Sequence, residues 1–164
     1  MNPGKFPIAT TLGATLCVNP KDHASNDDCK KKLMEKHPWG YDYTFDCTGN
    51  VHVMRNALEL AHRGWGESCV VGVAAAGHEI ATRPFQLITG RVWKGTAFGG
   101  WKSRTEVPQL VQRVMRKELD IDPLITHNFD GLDKVNDSIT ALHSGECLRA
   151  IIKIADFTPA IPQL

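Results

Sequence analysis

The chain has no surplus of either charge: 19 Lys and Arg stand against 18 Asp and Glu in 164 residues. Nothing in that balance holds it to a phosphate backbone or an anionic lipid surface, so neither nucleic acid nor a membrane is expected as a partner. It also lacks any apolar run long enough for a secretion signal or a membrane span, and a cytoplasmic setting is expected. The five cysteines, Cys17, Cys29, Cys47, Cys69 and Cys147, are odd in number and far apart, which is no disulfide framework. Neither CxxC, HxxxH nor HExxH occurs among them and the seven His. Ligands close in sequence lower the entropy of closing a metal site, so a metal held by this chain alone is not expected. Two nucleotide signatures are missing as well. Gly72 and Gly77 have the spacing that opens a phosphate loop, yet His78 and Glu79 follow where Lys and Ser or Thr must neutralise phosphate and hold magnesium. No GxGxxG turn occurs to bring a pyrophosphate to a helix N-terminus.

What is present suits one domain or little more. Hydrophobic residues make up 42%, and a chain of this size buries a little over two thirds of its unfolded surface, enough for a core without staples. Asn2 can cap a first helix that Pro3 opens, Phe6, Ile8 and Leu12 line and Gly13 ends. Thr15 to Val18 reads as a strand running into the turn Asn19-Pro20. Ser25-Asn26-Asp27-Asp28 then starts a charged helix through Lys36, stopped at His37-Pro38. Tyr41 to Phe45 is β-prone and leads through Asp46-Cys47-Thr48-Gly49-Asn50 into a helix on which Val51, Met54, Ala57, Leu58 and Ala61 recur at helical spacing. Ser68 to Val73 is a strand covered on both faces, Pro84 to Ile88 a short helical turn, and Arg91 to Phe98 another strand. Repeated βα alternation gives an α/β fold with a parallel sheet and helical crossovers. Beyond Phe98 the pattern changes to a separate α+β run: a helix from Thr105 to Lys117, a strand at Leu124 to Phe129, a helix from Leu132 to Leu142 and a strand from Arg149 to Ile154. A boundary therefore falls near Phe98, and residues 155–164, with Pro159 and Pro162, read as a tail.

Parallel sheets place ligands beyond the carboxyl ends of their strands. The small-residue loops Cys47-Thr48-Gly49-Asn50 and Gly72-Val73-Ala74 would let a flat ring lie on the backbone; they are also what tight βα connections look like. Arg63, Arg83, Arg91 and Arg149 can each engage an anion through a guanidinium fork, although most arginines simply face water. Arg149 stands out, because it follows the Ser144-Gly145 turn and precedes an apolar strand that would stiffen its stem. His62, His127 and His143 have no carboxylate or thiol nearby in sequence, and Cys47 has no evident base, so no catalytic residue is assigned; Cys47 reads as a small buried side chain. Trp93, Phe98 and Trp101 cluster around an apolar edge strand, which favours pairing of two sheets edge to edge over burial beneath a helix.

Gly72-Val73, Ala81-Thr82-Arg83-Pro84-Phe85-Gln86-Leu87 and, above all, the block from Gly90 to Ser103 (GRVWKGTAFGGWKS) closely resemble class III alcohol dehydrogenases, the glutathione-dependent formaldehyde dehydrogenases. The likeness runs from Asn2 to Ile154. It implies residues 1–97 as the second part of a doubly wound, Rossmann-like NAD-binding domain, 98–154 as the C-terminal α+β part of a GroES-like catalytic domain, and 155–164 as a tail. It implies NAD as cofactor and a zinc ion that polarises the alcohol or hemithioacetal oxygen of S-(hydroxymethyl)glutathione or a primary alcohol. Carried over by position, Lys5 corresponds to a residue beside the adenosine ribose, Cys47 and Thr48 line the cofactor cleft, and Val71, Gly72 and Val73 lie at the nicotinamide end. Thr96 and Phe98 neighbour that ring, and Arg149 matches an arginine on the pyrophosphate. Arg63 replaces a lysine that meets the glutathione carboxylate, keeping charge but not geometry, and Thr48 replaces a bulkier apolar residue of some members. The chain matches the last two fifths of the family pattern, and the ligands of both zinc ions fall upstream, so the chain alone is expected to be inactive. The first two strands of the order 3-2-1-4-5-6 are missing too, which would leave a gap between the strand near Val18 and those at Phe45 and Val71. The implied partner is a second copy or a longer subunit, joined through Arg91 to Phe98. A non-enzymatic dimerisation module is the alternative.

Overall fold

A computed structural model describes residues 2–156. By contact the chain forms two compact units, Met1–Asn19 with Leu110–Leu164, and Pro20–Gln109. The helix α5 (Ser103–Met115) runs across the division. This grouping differs from the sequence boundary near Phe98 in joining the first segment to the last third. The tail from 157 onward lies outside the described residues.

The unit Pro20–Gln109 is a parallel three-stranded sheet in the order β1 (Tyr43–Asp46), β2 (Glu67–Val70), β3 (Val92–Gly95). Three helices belong to it: α2 (Asn26–Met34), α3 (Val51–Leu60) and α4 (Pro84–Ile88). Each begins where local chemistry permits. The Ser25 hydroxyl accepts from the Asp28 amide at 3.1 Å, the Asn50 carboxamide oxygen accepts from the His52 amide at 2.9 Å, and Pro84 opens α4, where a missing N–H costs nothing. The apolar stripe of α3 supplies the core: Met54, Ala57 and Leu58 are buried, with Leu58 and Ala61 fully so. The Thr44 hydroxyl donates to the Ala57 carbonyl at 2.8 Å, which ties β1 to α3.

The register sets Tyr43, Glu67 and Val92 side by side, and likewise Asp46, Val70 and Gly95. Alternation along the strands therefore turns Thr44, Ser68 and Trp93 to the α3 face and Tyr43, Phe45 and Cys69 to the other. Tyr43 and Phe45 are both 65% exposed there, whereas Ser68 is buried. Strands formed where the patterning put them, with ends shifted by up to three residues and β1, β2, β3 and β5 shorter than expected. The exception is Thr15 to Val18, which has no ladder partner and forms no strand; extended backbone becomes a strand only when a neighbour takes its N–H and C=O groups. The expected gap in a sheet between that segment and Phe45 is accordingly not seen, and β1 to β3 form one uninterrupted sheet.

The other unit contains α1 (Phe6–Thr11), β4 (Ile125–Asp130), α6 (Val135–His143) and β5 (Arg149–Lys153). The Asn2 side chain accepts from the Gly4 amide at 2.9 Å, and Gly13 takes φ +102 after the helix, both as the sequence indicates. Strands β4 and β5 are parallel, with an irregularity between Ile125 and His127. Two side chains of the first segment reach the loop before β5: the Asn2 amide donates to the Gly145 carbonyl and the Lys5 ammonium to the Cys147 carbonyl, each at 3.4 Å.

Candidate functional site

The matched register brings the loops after β1, β2 and β3 to one end of the three-stranded sheet. Asp46 organises them. Its side chain is 1% exposed, and Oδ1 accepts from the Thr48 amide at 3.2 Å and the Thr48 hydroxyl at 2.6 Å, while Oδ2 accepts from the Gly49 amide at 3.2 Å. Its main-chain carbonyl accepts from the amides of Val71 and Gly72 at 2.8 and 2.9 Å, which locks the second loop onto the first. The two loops then touch backbone to backbone. A Cβ on Gly72 would meet the Gly49 nitrogen at 2.1 Å and one on Gly49, at φ +74, the Val73 carbonyl oxygen at 2.2 Å, so neither position admits a side chain.

With Asp46 drawn inward, its neighbour Cys47 turns outward and is exposed, not the small buried side chain that composition suggests. The Thr48 hydroxyl is used within the loop, donating to Asp46 and accepting from the Asn50 amide at 3.1 Å. Val71, Val73 and Phe98 offer apolar surface at 42%, 92% and 60% exposure. Thr96 is half-buried, with its amide on the Val70 carbonyl at 3.1 Å. Phe98 holds φ +53, a left-handed conformation costly for a residue with a Cβ, ahead of Gly99 and Gly100, which are also left-handed. At the end of β3 a Cβ on Gly95 would meet only the Val70 oxygen, at 3.6 Å, so this strand end shows bare backbone. Glycine backbone, apolar side chains and no competing charge fit a flat ring laid against the loops.

Six of the residues singled out from sequence thus share one end: Cys47, Thr48, Val71 to Val73 and, beyond β3, Thr96; Phe98 follows on the same loop. Lys5 and Arg149 belong to the other unit, where Arg149 is exposed and has no partner among the described residues. Arg63 sits in the turn before β2, at the amino ends of the strands, with its guanidinium 5.2 Å from the centre of the Phe85 ring. A four-residue strand separates that end from the loops at the carboxyl ends by roughly 13 Å. The Arg91 guanidinium is engaged within the chain. Its fork donates to the Ala61 carbonyl at 2.8 Å, Gln86 Oε1 at 2.7 Å and Thr89 Oγ1 at 3.3 Å. Burial, with the charge of Arg63 second, lowers its pKa. Asp46 was not picked out from the sequence. Its signal is the spacing Asp46-x-Thr48-Gly49, which allows a side chain to accept from the next amides.

Among the described residues no three His, Cys, Asp or Glu side chains stand together as a metal requires, so the donor set does not fit the zinc that the resemblance implies. No helix among them is long and apolar enough to cross a membrane.

Comparison with known proteins gives the family and the fold. Residues 1–116 match the family model described as zinc-binding dehydrogenase. The chain is 52% identical over 151 residues to the S-(hydroxymethyl)glutathione dehydrogenase of Haemophilus influenzae, covering 92% of this chain and 39% of the relative. It is 50% identical over 152 residues to the enzyme of that name from Escherichia coli, covering 93% and 40%. The chain therefore spans about two fifths of the length of these curated relatives. In fold it resembles benzyl alcohol dehydrogenase from Acinetobacter calcoaceticus, with a TM-score of 0.82 at 22% identity, over 94% of this chain and 41% of that one. An alcohol dehydrogenase zinc-binding domain protein from Burkholderia ambifaria gives 0.80 at 25% identity, over 94% and 40%.

Proposed function

Because the chain belongs to the zinc-binding dehydrogenase family, we propose that it carries the coenzyme-facing surface of an NAD-dependent dehydrogenase acting on S-(hydroxymethyl)glutathione and primary alcohols. The supporting observation is the convergence of Cys47, Thr48, Val71, Gly72, Val73, Thr96 and Phe98 at the carboxyl ends of parallel strands. These residues would receive the nicotinamide end of the dinucleotide, and the strained Phe98 backbone would hold its ring toward the cofactor. In the other unit, Lys5 would sit beside the adenosine ribose and Arg149 would pair with the pyrophosphate. S-(hydroxymethyl)glutathione follows the names of the relatives, and primary alcohols follow the resemblance read from the sequence.

The proposed partner is a second copy, joined through the free edge of β3 in a two-fold pair. Two parallel sheets joined in that way run in opposite directions, so the amino end of one lies beside the carboxyl end of the other. Arg63 would then meet the glutathione carboxylate in a site belonging to the second copy, which reconciles its assigned role with its place away from the cofactor-facing loops. That contact runs through Arg91 to Phe98, with Arg91 taking part through its backbone alone, since its fork is turned inward. A purely structural dimerisation module would use the same edge.

Calorimetry with NAD separates the two readings. Binding in the millimolar range, weakened at least fivefold by Arg149→Gln, supports the coenzyme reading; absence of heat at millimolar NAD rejects it. In an assay with formaldehyde, glutathione and NAD, the 164-residue chain is expected to form no NADH, since its donor set does not fit zinc. Turnover by a pure sample of correct mass would reject that expectation.

A further inference from the structure

Arg149 is a cation without a partner among the described residues, and its backbone is held from several sides. It is exposed, yet the loop ahead of it is tied down residue by residue. The Gly145 and Cys147 carbonyls receive Asn2 and Lys5 at 3.4 Å. The Cys147 amide donates to the Ala141 carbonyl at 3.3 Å, and the Leu148 amide donates to the Thr126 hydroxyl at 2.9 Å. Thr126 is where the β4–β5 register slips. Ile125 is opposite Arg149 and His127 opposite Ala150, so Thr126 is the extra residue of a bulge, a device that redirects neighbouring side chains.

The Thr126 hydroxyl is saturated. It lies 3.7 Å from Cys147 Sγ and 3.0 Å from His127 Nδ1. Its single proton serves either the sulfur or the ring nitrogen, and the other of the two then donates to its oxygen, beside the Leu148 amide. One hydroxyl in this way fixes the amide immediately before Arg149, the thiol of Cys147, which is 4% exposed, and the ring that follows it. A guanidinium grips two oxygens only when its stem is aimed, since ordering a long side chain opposes binding. We propose that Thr126 is a positioning residue for anion binding by Arg149. This rests on the reading of Arg149 as the diphosphate-binding arginine.

The test is a calorimetric titration of the full 164-residue chain with inorganic pyrophosphate, comparing Thr126→Val, Thr126→Ser, Arg149→Gln and the double variant Thr126→Val with Arg149→Gln. Valine keeps the shape and removes the hydroxyl. Loss of one such hydrogen bond is expected to weaken binding about five- to tenfold. Serine should restore it to within about twofold, and the double variant should bind no worse than Arg149→Gln alone, a coupling that a general loss of stability would not produce. Wild-type affinity in Thr126→Val, beside a weakened Arg149→Gln, overturns the role of Thr126 and leaves the diphosphate reading standing. Equal affinity in wild type and Arg149→Gln overturns both. Should the valine variant fail to fold, hydrogen exchange of the Leu148 amide in the unaltered chain decides: slower exchange with pyrophosphate supports the role, and no change removes it.

Discussion

At Asp46 a carboxylate is withdrawn from water at the end of a strand, and three donors in the next three residues compensate it. Truncating it leaves the amides of Thr48 and Gly49 without their acceptor in a tight loop. Asp46→Ala is therefore expected to destabilise the chain by roughly 2–3 kcal/mol in urea unfolding and to weaken NAD binding with it. Asp46→Asn should cost less, because one carboxamide oxygen can still accept. The same residue marks a limit of sequence reading. Cys47, Thr48 and Gly72 were visible as small residues after apolar runs, but whether Asp46 faced water or the protein depended on strand alternation, and that in turn decided that Cys47 is exposed. Arg63 and Arg91 were alike as letters. Only packing turned one toward solvent on the Phe85 ring and the other into the carbonyl of Ala61.

Among the elements, α2 and α3 are joined by charge. The Lys30 ammonium donates to Glu59 at 2.6 Å and lies 2.9 Å from Asp27, and Arg55 donates to Glu59 at 2.8 Å. Burial by itself would raise the Glu59 carboxyl, but its bonds to Lys30 and Arg55 outweigh that and hold its pKa below the ordinary value. A depressed carboxylate stabilises the folded chain above its unfolded pKa, about 4.3, and the contribution disappears as pH falls through the lower folded value. Chemical unfolding between pH 6 and pH 3, as rough bounds for that range, should show stability falling with acidity, and Glu59→Gln should flatten the slope. Lys30 behaves in the opposite sense. Burial lowers its pKa but the bonds to Glu59 and Asp27 raise it on balance, so its contribution is present below about pH 10.4 and lost only as pH rises through the folded value. Element positions were well marked in the sequence, since caps, prolines and apolar spacing are local properties. The salt bridge was not, because it joins residues 29 positions apart on two helices.

For the whole molecule, the edge of β3 carries the testable consequence. The amides of Val92 and Thr96 point inward to Gly66 and Val70, so alternation turns the amides of Trp93 and Gly95 to the free edge. Pairing with a second copy through that edge, as proposed, predicts that Gly95→Pro removes an outward donor without disturbing the inward ladder, since a Cβ there meets nothing closer than 3.6 Å. Sedimentation should then show a dimer for the unaltered chain and a monomer for the variant. A folded variant that still dimerises would place the interface elsewhere.

Sequence alone determined the succession of helices and strands from Ser25 onward, the parallel character of the sheet, the glycine positions and the family, because capping, side-chain periodicity and the Gly90 to Ser103 block are written in neighbouring residues. Tertiary structure decided the rest. Thr15 to Val18 stayed out of any sheet for want of a partner, the first segment latched onto the loop before Arg149, and Arg63 came to the amino ends of the strands, away from Cys47, Thr48 and Val71 to Val73. Each of these outcomes depends on which backbone groups and charges find partners far away in the chain, and local composition carries no record of that.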